Sequence, residues 1–147
     1  ASKGMVNWAK ENMVLSHLEQ HKIRFIVDDV LKFVAREKRR GRTYHAIIMD
    51  PPSYGRGPNG EIWKIEEQLY PLISACMEIL DDDPLFFLVN SYTTGFPPTV
   101  LYNLLRTTIG KKYMDGTIHA GEIGLPITTG DSVLPCGIYG KWVKNNR

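Results

Sequence analysis

Apolar residues recur along the chain with two different periods, and the switching between them predicts the fold. Met5, Trp8, Ala9 and Met13 fall at helical spacing behind Ser2, a residue type that caps helix starts, so a helix is expected from residue 3 to about residue 18. Its apolar stripe reads as core. Residues 23–27 read as a strand, Asp28-Asp29 as the cap of a second helix, and Val30, Phe33 and Val34 as the buried face of that helix. A second strand follows over residues 44–49, closing in the unbroken apolar run Ala46-Ile47-Ile48-Met49, as in a central strand covered on both faces. Residues 51–62 are a loop punctuated by Gly55-Arg56-Gly57-Pro58 and Gly60, and this is the segment expected to be most mobile.

Helical spacing resumes through Ile65, Leu69, Leu72, Ile73, Cys76 and Leu80, and Asp81-Asp82-Asp83-Pro84 ends it. Leu85-Phe86-Phe87-Leu88-Val89 is then a second buried strand. Pro97-Pro98-Thr99 opens a helix carrying Leu101, Leu104 and Leu105, with Gly110 as its expected end. Residues 117–125 and 133–143 are partly alternating and glycine-rich, as in an antiparallel hairpin at a sheet edge. Strands alternating with helices specify a doubly wound α/β sheet, mostly parallel, with this C-terminal antiparallel hairpin.

Composition narrows the class without naming a function. The 147 residues are 43% hydrophobic and 23% charged, which is ordinary for a globular domain and argues against disorder. No apolar stretch reaches the roughly 18 residues of a membrane span, and no signal-like segment opens the chain, so it reads as cytoplasmic. Cys76 and Cys136 have neither metal-ligand nor disulfide-framework spacing, and the four histidines are scattered. No metal is expected. A net charge of +2 does not argue for nucleic acid by itself, but five cations crowd into Arg36-Glu37-Lys38-Arg39-Arg40-Gly41-Arg42. They could neutralise phosphates, or they could complement the last turn of a helix ending at Gly41.

Candidate chemistry concentrates at Asp50-Pro51-Pro52-Ser53, directly after the buried strand. Ligands of open α/β sheets bind beyond such carboxyl ends. A carboxylate followed by two prolines, which fix φ and lack N–H groups, makes a stiff ledge with an acid beside it, and Tyr54 could offer a flat ring to a planar substrate. The plainer alternative is a strand end in which Asp50 merely caps a turn. Glu61, Trp63, Lys64 and Glu66 follow the loop and could line the approach to it, or form an ordinary helix start. Thr93-Thr94-Gly95 and Gly121-Glu122-Ile123-Gly124 are further turn candidates.

These residues resemble a known family. Asp-Pro-Pro after a hydrophobic strand is similar to the fourth motif of Rossmann-like S-adenosylmethionine-dependent methyltransferases that act on nucleic-acid bases. Ala1-Ser2-Lys3-Gly4-Met5, Ile26-Val27-Asp28-Asp29-Val30 and Asn90-Ser91-Tyr92-Thr93-Thr94-Gly95 fall where that family has the helix start after its second strand, the adenine-contacting turn after its third, and the turn after its fifth. The likeness is greatest to the ribosomal-RNA large-subunit branch. It implies a sheet ordered 3-2-1-4-5-7-6 with the seventh strand antiparallel, in which this chain lacks the first two strands. Residues 1–147 would then be a single, partial methyltransferase catalytic domain, truncated at its N-terminus. Unpaired strand edges of such a fragment invite self-association.

The resemblance also implies roles. S-adenosyl-L-methionine would be held by Ser2, Asp28, Asp29, Val30 and Asp50, with the carboxylate of Asp29 taking the adenine amine, Asp28 as its substitute, and the Val30 N–H meeting a ring nitrogen. Asp50, Pro51, Pro52 and Tyr54 would be the catalytic set, and Ser53, Tyr54 and Asn90 would touch the substrate, with ribosomal RNA the expected partner. Methylation at C5 of a pyrimidine needs a cysteine nucleophile. The turn Asn90-Ser91-Tyr92 holds none, so methylation at an amine or ring nitrogen is expected. The family's amino-methyltransferases often place the aromatic immediately after the second proline, whereas here Ser53 intervenes. The rival reading is a non-catalytic nucleotide- or RNA-binding α/β module in which the prolines are structural.

Overall fold

The computed structural model describes residues 2–57 and 60–145. In chain order its elements are α1 (Lys3–Leu15), α2 (Val30–Arg39), β1 (Ala46–Met49), β2 (Tyr54–Arg56), β3 (Ile62–Lys64), α3 (Ile65–Met77), β4 (Phe86–Ser91), α4 (Pro98–Thr107), α5 (Ile109–Lys112), β5 (Gly116–Pro126) and β6 (Val133–Lys144). Four strands form one sheet in the order β1-β4-β6-β5, and β2 and β3 form a separate hairpin. β1 and β4 run parallel, with Ala46 opposite Phe86 and Met49 opposite Val89, while β6 is antiparallel to both β4 and β5. The architecture is α/β with a mixed sheet: a parallel β1–β4 core carrying the expected hairpin at its far edge.

The core forms where apolar faces meet. Ile65, Leu69, Leu72, Ile73 and Cys76 of α3, Phe87 and Val89 of β4, Leu101 and Leu105 of α4, and Trp142 of β6 are all buried. Trp142 sits over Gly116, where any β-carbon would collide with the indole, and its Nε1 donates to the Tyr113 carbonyl at 3.2 Å. α2 ends in a Schellman motif. Arg42 N–H donates to the Glu37 carbonyl and Gly41 N–H to the Lys38 carbonyl, with Gly41 at φ 63° supplying the left-handed turn.

Several expectations are corrected. α1 buries none of its residues, and Trp8 is 58% exposed, so its apolar stripe is not core among the described residues. It stops at Leu15 with a second Schellman motif, in which His17 takes the positive φ. Residues 23–27 have no ladder partner among the described residues, so they are not a strand, and Phe25 instead lies under the ammonium of Lys10. Residues 51–62 are not simply a loop: alternating residues pair Tyr54 with Lys64 and Arg56 with Ile62 in the β2–β3 hairpin. The Pro58 of the expected mobile segment lies outside the described residues, as does Ala1.

Candidate active site

β1 delivers the chain to Asp50, which is exposed and not turned into the interior. Partial burial of its carboxyl still raises its pKa above the ordinary 3.8. A carboxyl tuned in that direction accepts a proton more readily near neutral pH. The prolines that follow are clamped from the hairpin side. Trp63 of β3 donates its indole N–H to the Pro52 carbonyl at 2.6 Å, and the Ile65 N–H donates to the Ser53 carbonyl at 3.1 Å.

A chain of hydroxyls ties this ledge to the neighbouring strand. Ser53 Oγ and Thr93 Oγ1 are 2.7 Å apart, and Thr93 Oγ1 accepts from the hydroxyl of buried Ser91 at 3.1 Å. The carboxyl ends of the two parallel strands are thereby locked together. Tyr54 opens β2 and is 51% exposed, its hydroxyl accepting from Arg56 Nε at 3.0 Å. Asn90, expected in a turn, is instead a half-buried residue of β4 opposite Tyr139. The turn starts after Ser91, because β4 continues its pairing with β6 two residues past Val89.

The second set of expected residues gathers at the start of α2. Asp29 caps the helix, its Oδ1 accepting the Lys32 N–H at 2.9 Å, and Val30 beside it is exposed. Asp28 is paired with Arg36, whose guanidinium holds its carboxyl below the usual range. α2 runs back along β1. The Tyr44 hydroxyl donates to Glu37 near the helix end, and Val30 and Ile48 line one apolar groove of about 240 Å³ with Phe33, Val34 and Ala46. The start of α2 therefore lies toward the carboxyl end of β1, the end that carries Asp50. Ser2 stands at the cap position of α1 without a side-chain capping bond, on a helix that buries nothing.

The basic cluster is largely spent on structure. Arg36 pairs with Asp28, Lys38 with Glu78 at 2.6 Å, and Arg40 and Arg42 with Glu37 at 2.9 and 3.6 Å. Glu37 is fully buried, and the Tyr44 hydroxyl, followed by Arg40 and Arg42, holds its carboxyl below the usual range against the opposing cost of burial. Of the two thiols, Cys76 is 4% exposed and burial pushes it up to about 11. Cys136 lies in β6, with Sγ 3.3 Å from the Leu134 carbonyl. Trp63, Ser91 and Thr93 hold the ledge; the sequence marks Trp63 as near the approach and Ser91 and Thr93 as part of a turn motif, but not the bonds they make.

No family model matches the chain. The fold is that of a crystallised SAM-dependent methyltransferase from Agrobacterium tumefaciens, 36% identical with a TM-score of 0.87 over 97% of this chain and 47% of that one. SMU.776, solved in complex with SAH, has the same fold at 19% identity, with a TM-score of 0.68 over 97% of this chain and 37% of its own. The ribosomal RNA large subunit methyltransferase K of Neisseria meningitidis is 25% identical over 91 residues, 61% of this chain and 26% of the relative. The chain thus spans less than half the length of each of these proteins. Its fold and its sequence are similar to those of S-adenosylmethionine-dependent methyltransferases, and ribosomal-RNA large-subunit methyltransferases are among the proteins it resembles.

Proposed function

We propose that residues 1–147 form part of a single catalytic domain that transfers a methyl group from S-adenosyl-L-methionine to a base of ribosomal RNA, at an amine or ring nitrogen. The observation that carries this reading is the exposed Asp50 at the end of a strand, on a proline ledge clamped by Trp63 and by the Ser53–Thr93–Ser91 hydroxyls. Rigid placement of a planar nucleophile is most of what a protein contributes to an in-line displacement. The cofactor, when bound, supplies the electrophilic methyl group. An adenine wants an acceptor for its amine next to a donor for a ring nitrogen, and the exposed cap of α2 fits: the Asp29 carboxylate adjoins the Val30 N–H.

On the acceptor side, the Asp50 carboxylate and the Pro51 carbonyl receive the hydrogen bonds of the target amine and aim its lone pair, while Tyr54 stacks on the ring. Asp50 then takes the proton that the methylated nitrogen sheds. Attack at C5 is disfavoured because the Cys76 thiol is buried and held protonated. A cytoplasmic location follows from the substrate, and the open edge of β1 offers a route to self-association. The test is transfer of a labelled methyl group to ribosomal RNA. Asp50→Ala should abolish it with the fold retained, and Cys136→Ser should leave it intact. Undiminished transfer by Asp50→Ala would refute the assigned mechanism, and loss in Cys136→Ser would reinstate C5 chemistry.

A further inference from the structure

The β2–β3 hairpin has two unlike faces, and pairing register decides which residue lies on which. Gly55 and Trp63 are directly opposite and point inward, where Trp63 packs against the core and holds Pro52. Tyr54, Arg56, Ile62 and Lys64 alternate with them and are all exposed. Tyr54 lies across from Lys64, and the Arg56 guanidinium bonds to the Tyr54 hydroxyl through Nε, with further N–H donors to offer. A flat ring is therefore flanked by two cations. Lys64 meets Glu67 at 3.0 Å, but that pair is exposed on both sides and exchanges readily for a stronger anion. Four of the five cations in the cluster at 36–42 are already matched to carboxylates, which leaves them poor candidates for the same task.

Ring and cations on one rigid face suit a flexible polyanion that carries bases: the ring stacks one base and the cations neutralise adjacent phosphates. We propose that Arg56 and Lys64, on either side of the ring that stacks on the target base, hold the phosphates of the single-stranded RNA that flanks that base. This rests on the base-methylation reading, and it adds to it the surface that positions the strand. Because Trp63 bonds the hairpin to Pro52, a strand on the outer face is held at a fixed offset from Asp50.

Binding of a fluorescent single-stranded oligoribonucleotide, followed by anisotropy over a range of salt without cofactor, tests it. Arg56→Ala/Lys64→Ala should reduce the slope of log affinity against log salt by about 1.4, or about 0.7 per phosphate contact. Tyr54→Leu should weaken binding at least about fivefold, and Tyr54→Phe should not. Arg106→Ala, an exposed cation on α4, should change neither. A wild-type protein that does not bind, a double variant with unaltered affinity and slope, an equal loss in Arg106→Ala, or equal binding of an acidic decapeptide would each overturn the proposal. Binding that depends on the hairpin in a protein that transfers no methyl group would remove the enzymatic reading and keep the RNA face.

Discussion

At the scale of single residues, the ledge depends on groups that perform no chemistry themselves. Trp63→Phe keeps an aromatic ring but deletes the N–H that holds the Pro52 carbonyl and part of the packing on the core, so it should cost about 1–3 kcal/mol in urea unfolding and lower turnover by more than it alters cofactor affinity. In the proposed mechanism Asp50 sets the acid side of the rate profile, because its raised pKa means that it protonates at a higher pH than an ordinary aspartate. Methyl transfer should therefore fall away on acidification earlier than an unperturbed carboxylate would dictate, as stopped assays from pH 8 to pH 4 will reveal. Glu37 acts in the opposite sense. Its folded pKa lies below the ordinary 4.5, so its contribution to stability is complete above that value and is lost as the pH drops through the folded one. Glu37→Gln should flatten the acid limb of the stability profile measured by urea titration.

At the scale of elements, local pattern was a good guide wherever an element pairs with another part of this chain. The apolar runs that became β1 and β4, the helical spacing of α3 and α4, and the alternation in β5 and β6 were all readable because their partners follow in the sequence. Residues 23–27 and α1 have equally apolar patterns and no partner among the described residues, so pattern alone mistook them for a strand and a core helix. The place of Asp50 at the end of a buried strand and of Asp29 at a helix start was legible. The clamp was not, because the Trp63–Pro52 and Ser53–Thr93 bonds join positions 11 and 40 residues apart that no local rule connects. Packing leaves a sharper element-scale prediction at Gly116. Alanine there forces its methyl into the Trp142 indole, and calorimetry should register a loss of about 1–3 kcal/mol from the β5–β6 layer.

At the scale of the whole molecule, β1 and β5 are the two edge strands of the sheet among the described residues, and the β1 edge is the one beside the apolar groove. Ile48 there is 65% exposed beside the apolar groove, and an open apolar strand edge recruits further strands. If chains pair through this edge as proposed, Ile48→Lys should lower the weight-average mass seen by sedimentation at high concentration and leave the dilute protein unchanged. The two thiols divide along the same lines of packing. Cys76 is sealed under α3 and held protonated, whereas Cys136 is partly open. A maleimide at neutral pH should accordingly mark the native protein once, and a second adduct can arrive only when α3 lifts away. The ratio of doubly to singly alkylated chains is thus a built-in gauge of how often the interior opens, readable by mass spectrometry without a probe having to be engineered.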